Sequence, residues 1–285
     1  MKTAIPALGV LCAFILTGHA QAQDQAKPAH GWKHSLAGAL GLTQVAFKDW
    51  RQGGEGAVAW AFTVDGRSTN DQAKTNWSNA YKFAFGQTKT GKQDARKTDD
   101  RIDLETILTY NMDLYVNPYM AVTLKTQFAR GYKYDEHGGR TPVSQFFDPA
   151  NLTQSAGLGY QPVAQVKTRI GVAVREILTH KFPAYADDPQ TQDKIEKTRV
   201  DGGLESVTDL EWKPGANLLL RSRVELFAPF KDVGQTAARS DNTFAVKMGK
   251  YVSVGLSVQV VNDPAASPRT QIKEAITLGL SYVFL

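Results

Sequence analysis

Few side chains in this sequence have the types and spacing that catalysis needs. Four histidines follow residue 22: His30, His34, His137 and His180. Neighbouring residues of a strand point to opposite faces, so His34 and Ser35 cannot form a base–nucleophile pair within a strand. The sequence contains no G-x-S-x-G motif, no H-E-x-x-H motif and no phosphate-binding loop. We therefore predict no catalytic residues and no cofactor, and keep an enzyme only as the third hypothesis below.

Two groups of acidic residues offer the oxygen ligands that Ca²⁺ prefers. These groups are Asp187-Asp188 with Asp193, and Asp135-Glu136-His137. Both lie in polar stretches that we predict to be loops, where acidic clusters are commonly solvated. We predict no resident metal ion.

The elements that would position any site are strands. From residue 101 to residue 114, apolar and polar residues alternate. One face carries Ile102, Leu104, Thr106, Leu108, Tyr110, Met112 and Leu114, and the other carries Arg101, Asp103, Glu105, Ile107, Thr109, Asn111 and Asp113. This period of two is typical of a strand between two different environments. A soluble sandwich would bury the apolar face under a second sheet, whereas a membrane barrel directs it at lipid.

Twelve segments fit this pattern. We predict strands at 32–47, 55–66, 76–88, 99–114, 119–132, 152–161, 165–178, 198–212, 217–229, 240–248, 250–262 and 271–284. Short connections at 116–118, 161–164, 213–216 and 248–250 alternate with long polar ones at 133–151, 179–197, 230–239 and 263–270. The connection 67–75 fits less well, because it should be short.

Alternating turn lengths are typical of outer-membrane barrels. The sequence therefore predicts an all-β fold: a single antiparallel transmembrane β-barrel of about 12 strands, with short periplasmic turns and long extracellular loops. A periplasmic β-sandwich is the alternative fold.

The same alternation predicts which charged residues face the lumen, the space enclosed by the strands. They are Arg101, Asp103, Glu105, Lys125, Lys167, Arg169, Arg175, Asp201, Glu205, Asp209, Arg221, Arg223, Glu225 and Lys247. These charges could form a pore wall that selects solutes by sign. Equally, they could form ion pairs that plug a narrow barrel, and pairing between adjacent acidic and basic strands is expected in both cases.

Aromatic residues near the predicted strand ends would lie at the membrane interface. We predict Trp50, Tyr115, Tyr119, Trp212, Tyr282 and Phe284 as interfacial anchors. The loop 138–151 holds an aromatic pair, Phe146-Phe147, which could constrict the lumen or pack on the barrel rim.

The first residues predict export. Lys2, an apolar run and Ala20-Gln21-Ala22 are typical of a secretory signal peptide over residues 1–22, followed by a polar tether at 23–31 and the barrel at 32–285. Cys12 is the one cysteine, so no disulfide is expected in the mature chain. The net charge of +5 is too small and too evenly spread to indicate nucleic acid as a partner.

Several short motifs resemble a known family. The run 47–55 contains a W-x-x-G-G-E stretch, and the runs Lys97–Asp103, Phe128–Tyr134, Phe147–Leu152 and Leu278–Phe284 follow in order. Together they resemble the domain-of-unknown-function family 3078 over nearly all of the mature chain. The resemblance implies an outer-membrane barrel of Gram-negative bacteria and implies no activity.

These observations lead to three hypotheses. The first is a barrel that passes a small polar solute, of unknown identity, through a charged lumen. The second is a closed structural or adhesive barrel that acts through its extracellular loops, and the third is an outer-membrane enzyme. The expected partners are outer-membrane lipid, lipopolysaccharide and the barrel-assembly machinery, which would act on the C-terminal strand.

Overall fold

The computed structural model describes residues 31–47, 54–112, 115–136, 138–188, 191, 194–249, 251–264, 267 and 269–284. The predicted signal peptide, all but the last residue of the tether, Trp50, His137 and Asp193 lie outside the described residues. The helices within them are two short 3-10 turns, Pro183–Tyr185 and Val233–Gln235. Neither has the length or apolar character of a membrane-crossing helix.

The described chain is built from strands. They are β1 (Trp32–Val45), β2 (Ala57–Asp71), β3 (Thr75–Thr90), β4 (Arg96–Tyr110), β5 (Val116–Thr126), β6 (Gly131–Tyr134), β7 (Arg140–Ser144), β8 (Ala150–Val163), β9 (Val166–Leu178), β10 (Thr198–Gly215), β11 (Leu218–Pro229), β12 (Ala237–Lys247), β13 (Val252–Asn262) and β14 (Gln271–Val283).

Twelve of these strands form one closed antiparallel barrel, in the order β1-β14-β13-β12-β11-β10-β9-β8-β5-β4-β3-β2. The predicted all-β barrel is thereby confirmed. Strands β1 and β14 close the ring in a register that runs from Ala37 opposite Val283 to Gly41 opposite Gly279. The remaining strands, β6 and β7, pair as a separate hairpin within the long connection between β5 and β8.

Several predicted boundaries were wrong; the strand predicted at 119–132, for example, ends at Thr126. Strand β2 continues to Asp71 and β3 begins at Thr75, where the N–H of Gln72 donates to the Thr75 carbonyl at 2.8 Å. The connection that looked too long is therefore a tight turn, and it follows the alternation. The predicted turn 116–118 lies inside β5, because Val116 and Pro118 pair with Tyr160 and Leu158 of β8 despite their turn-like sequence.

The two faces of the wall differ in character. Outward side chains are large and apolar: Met120, Ile170, Val172, Ile276 and Leu280 are all more than half exposed. Many inward side chains on β1–β3 are small, with buried alanines at 37, 39, 59, 61 and 84, although Asp65, Arg67 and Lys82 share the inward parity. This side of the lumen therefore leaves room for the long charged side chains of the opposite strands.

The structure corrects the prediction that Tyr119 is an interfacial anchor. Tyr119 shares the inward parity of Ala121 and Thr123, and it is only 4% exposed. It lies in register with Gly157, which in turn pairs with Gly171. An aromatic ring beside two paired glycines fills the space that their missing side chains leave.

Gly171→Ala tests this packing. A Cβ at this position would lie 2.3 Å from the Ala156 carbonyl oxygen and 2.8 Å from the Tyr119 hydroxyl. We expect the substitution to destabilise the barrel by about 1–3 kcal/mol, because backbone must move to accommodate it. The midpoint temperature of the folded-to-unfolded gel shift measures the loss. Gly215→Ala is the control, since nothing lies within 4 Å of its added Cβ; equal losses at both sites would contradict the packing argument.

Candidate lumen site

Ion pairs cross the lumen near its long-loop end, the end of the barrel opposite the tight turns. The Arg101 guanidinium of β4 contacts Asp241 of β12 at 3.0 Å and also pairs with Asp103. Arg239 contacts the same Asp241 carboxylate at 3.1 Å. Strands β4 and β12 lie six places apart in the ring of twelve, so this contact joins opposite walls.

A second group of ion pairs is centred on Glu105. Its carboxylate accepts from Arg169 of β9 at 2.7 Å and pairs with Arg223 of β11. Arg223 also contacts Glu225 at 2.7 Å, and Glu225 pairs with Lys125 of β5. The side chains of Glu105 and Arg169 are only 11% and 8% exposed. This group therefore fills the middle of the lumen with charges, of which Glu105 and Arg169 are the least exposed to water.

We refer to these two groups together as the transluminal network. Pairing between adjacent strands was expected, and it does occur between Arg223 and Asp209 at 3.2 Å and between Arg221 and Glu211 at 3.1 Å. Other contacts, however, join strands three to six places apart: Arg169 with Glu105 at 2.7 Å, and Arg101 with Asp241 at 3.0 Å. Long arginine side chains reach across the lumen beside the buried alanines of β1–β3.

Of the other predicted lumen residues, Glu205 lies beside Arg169 in the middle of the lumen, and the rest lie towards the two ends. Arg175 contacts Asp263 at 3.3 Å, and its guanidinium lies 4.5 Å from the Phe227 ring centre. The remaining positions are as follows: Asp201 pairs with Arg199 at 2.7 Å, Glu205 lies 4.0 Å from Arg169, and Lys167 and Lys247 lie beside the tight-turn ends of β9 and β12.

Above the transluminal network, a cavity of about 340 Å³ lies at the long-loop end. We call it the vestibule. Its wall includes the cationic side chains of Lys97, Arg101, Lys125, Arg239 and Lys273. Lys273 contacts Asp99 at 2.7 Å, so a pair from β14 and β4 also lies in its wall.

Two buried carboxylates fasten the loops above the vestibule. Asp100 accepts hydrogen bonds from the backbone N–H groups of Phe128 and Ala129 at 2.6 and 2.9 Å. Asp148 accepts from the N–H groups of His180 and Lys181 at 3.1 and 2.7 Å. The first carboxylate ties the 127–149 segment to β4, and the second ties it to the 179–197 segment.

Two loop residues have pKa values that differ from their ordinary values. Burial, and then the charge of Asp148, raises the pKa of the Tyr185 hydroxyl above its ordinary value. A hydrogen bond from the Thr191 hydroxyl lowers the pKa of Glu196. The Glu196 carboxylate accepts from the Thr191 hydroxyl and the Asp188 backbone N–H, and the Glu196 N–H donates to the Asp187 carboxylate, so these contacts fold the loop on itself. Among the described residues, no cluster of acidic, histidine or cysteine side chains has the form of a metal site.

The outward aromatic side chains form two groups. At the tight-turn end, Tyr115, Trp212, Tyr282 and Phe284 are exposed on the outside, as interfacial anchors would be. At the long-loop end, the Phe128 ring contacts those of Phe83, Phe85 and Phe146. Phe146 and Phe147 therefore pack on the rim rather than entering the lumen.

The sequence analysis missed a polar contact on the outer face. The Nδ1 atom of His34 lies 2.8 Å from the Ser68 hydroxyl, to which Tyr81 donates at 3.1 Å. Trp32 stacks on His34. Ser68 is only 7% exposed, so the surrounding rings cover the hydroxyl. The two residues are 34 positions apart, and they meet only because β1 and β2 pair in the observed register.

A protein-family model matches part of this chain. The family model "protein of unknown function (DUF3078)" matches residues 42–132. This match confirms the resemblance to the family over that segment, and the motifs at 147–152 and 278–284 lie outside it. The DUF3078 segment runs from β1 to β6 and so contains Arg101, Asp103, Glu105 and Lys125 of the transluminal network. No curated protein gives a significant match.

Solved structures similar to this chain include three bacterial barrels. An outer-membrane channel of Pseudomonas putida F1 has a TM-score of 0.40 and 10% identity, with coverage of 92% of this chain and 99% of that one. The translocator domain of the autotransporter NalP of Neisseria meningitidis scores 0.37 at 10% identity, covering 90% of each chain. The channel DcaP of Acinetobacter baumannii scores 0.33 at 6% identity, covering 93% and 100%. At these values the likeness carries no argument about the role of this chain.

Proposed function

We propose that this protein is an outer-membrane barrel that passes a small polar solute through its charged lumen. The location is supported by the exposed apolar side chains around the barrel, including Leu40, Met120 and Ile276. Soluble proteins rarely expose continuous apolar surface of this extent. The exposed aromatic residues near the tight turns fit the interface between lipid and water.

The observation that carries the passage of a solute is the charge of the inner wall. Buried ion pairs are weak stabilisers, and apolar residues of similar volume often serve a fold as well or better. A barrel that needed only to be filled could use such residues in place of Glu105, Arg169 and Arg223. The retention of charges there supports a role in contacting a polar solute, with the transluminal network as its constriction.

A closed barrel that acts through its loops is the second candidate. It is favoured by the contact between Arg101 and Asp241, because this contact connects opposite walls of the lumen. The loops that would then act are the 127–149 and 179–197 segments, which Asp148 fastens together.

Planar-bilayer conductance of the purified, folded barrel separates the two candidates. Passage predicts discrete current steps, whose ion selectivity Arg221→Glu shifts towards cations. Arg221 is suited to this test because its side chain is 32% exposed and tolerates substitution better than Arg169. Lys231→Glu, the same charge change on an exposed loop residue, is the control. A folded barrel without current steps would overturn passage and support the closed barrel.

The remaining partners belong to the same proposal. Lipid would contact the outward apolar face, and lipopolysaccharide would contact the rim that carries Phe128, Phe146 and Phe147. The assembly machinery would act on β14, where Tyr282 and Phe284 stack edge to face with ring centres 5.0 Å apart.

A further inference from the structure

The vestibule has more cationic than anionic groups in its wall. Five cations contribute: Lys97, Arg101, Lys125, Arg239 and Lys273. They come from β4, β5, β12 and β14, so they surround the cavity rather than lining one side. Three carboxylates share the same wall, those of Asp99, Asp100 and Asp103.

Most of the anionic charge is already engaged. The Asp100 carboxylate is 2% exposed and accepts from Lys97 as well as from two backbone N–H groups. Asp103 pairs with Arg101. Asp99 is the most exposed of the three carboxylates that line the vestibule, and it pairs with Lys273. A solute in the vestibule therefore meets few carboxylate oxygens that could bind a cation.

All five cations are also in ion pairs, with Asp99, Asp100, Asp103, Asp241 or Glu225. An ammonium carries three N–H donors and a guanidinium five, so donors remain for a solute. The Lys273 ammonium is 44% exposed and carries three N–H donors, and among the described residues it forms one ion pair, with Asp99. Asn151, Gln127 and Gln259 add amide groups to the wall. Ammonium and guanidinium groups form their strongest hydrogen bonds with carboxylate and phosphate oxygens. The volume of about 340 Å³ matches a small solute rather than a polymer.

We infer that the vestibule binds a small anion of carboxylate or phosphate chemistry. The inference deepens the proposed passage of a solute, since it gives the sign and the chemistry of what enters. Binding itself does not depend on an open lumen, so it can be tested separately from conductance.

Isothermal titration of the full-length folded barrel in detergent, at low salt, provides the test, with inorganic phosphate and succinate as separate probes. We expect at least one anion to bind, and Lys273→Gln to weaken binding by about tenfold or more. Lys273→Arg should retain binding, because it keeps the charge. Lys167→Gln removes an exposed lysine at the opposite end of the lumen and should change affinity less than twofold.

The outcomes have separate meanings. Binding without current steps would keep the inference and overturn passage, whereas current steps without binding would do the reverse. The inference is also overturned if Lys167→Gln weakens binding as much as Lys273→Gln does. A heat-modifiable gel shift on each variant ensures that only folded barrels are compared. Binding of phosphate but not succinate, or the converse, identifies which of the two chemistries the vestibule accepts.

Discussion

Replacement of Glu105 by alanine is expected to lower the free energy of unfolding by about 3–5 kcal/mol. The Glu105 carboxylate is the shared partner of Arg169 and Arg223, and it is 11% exposed. Its removal leaves two guanidinium groups inside the barrel with less compensating charge, and solvent hardly reaches Arg169. Urea unfolding of the barrel in lipid vesicles measures the loss.

Glu211→Ala is the matched control for this experiment. Glu211 also pairs with two cations, Arg221 and Lys213, but its side chain is 33% exposed. Water solvates these partly exposed charges and compensates for part of the lost ion pairing. We therefore expect the free energy of unfolding to fall by about 1 kcal/mol or less. Similar losses of unfolding free energy in the two variants would show that burial of the ion pairs adds nothing to what pairing alone contributes to stability.

Asp148→Ala is expected to release the 179–197 segment from the rest of the barrel. The 2% exposed Asp148 accepts two backbone hydrogen bonds from that segment. Loss of the acceptor leaves two N–H groups without this partner, at about 1–3 kcal/mol each. We expect trypsin to cleave after Lys181 at least tenfold faster, since proteolysis follows the population of the open loop. Mass spectrometry of the fragments locates the cut.

Asp232→Ala is the control for the loop experiment. Asp232 also accepts a backbone hydrogen bond in a loop, from Gly234 at 2.9 Å, but it lies between β11 and β12. Its substitution should leave cleavage after Lys181 unchanged. An unchanged cleavage rate in Asp148→Ala would show that other contacts hold the segment.

The strands could be predicted because lipid-facing and lumen-facing residues alternate. The segment 250–262, for example, alternates valines with small polar residues, and β13 occupies Val252–Asn262. The assignment of Tyr119 as an interfacial anchor was wrong because it rested on the predicted turn at 116–118 and not on the alternation of faces along β5. Once β5 is known to begin at Val116, Tyr119 falls on the inward face with Ala121.

The partners of the charged residues could not be predicted. Alternation predicts on which face of its strand Arg101 lies. Its ion pair with Asp241, however, depends on the distance between opposite walls of the barrel. That distance is set by the number of strands and by the stagger that their registers add up to around the ring. The same dependence on register hid the contact of His34 with Ser68. The hairpin of β6 and β7 was missed because its strands are too short to show alternation.

The register of β1 with β14 has a consequence for how the barrel assembles. Among the described residues, these strands pair over five positions, whereas β1 and β2 pair over fourteen. Every other seam of the ring joins strands that are neighbours in the chain or are separated by one folded loop, and so forms by local zippering. The β1–β14 seam needs the two chain ends to meet after all other pairs are in place. We therefore expect this seam to be the last to form and, with the fewest paired positions among the described residues, the first to part when the barrel unfolds.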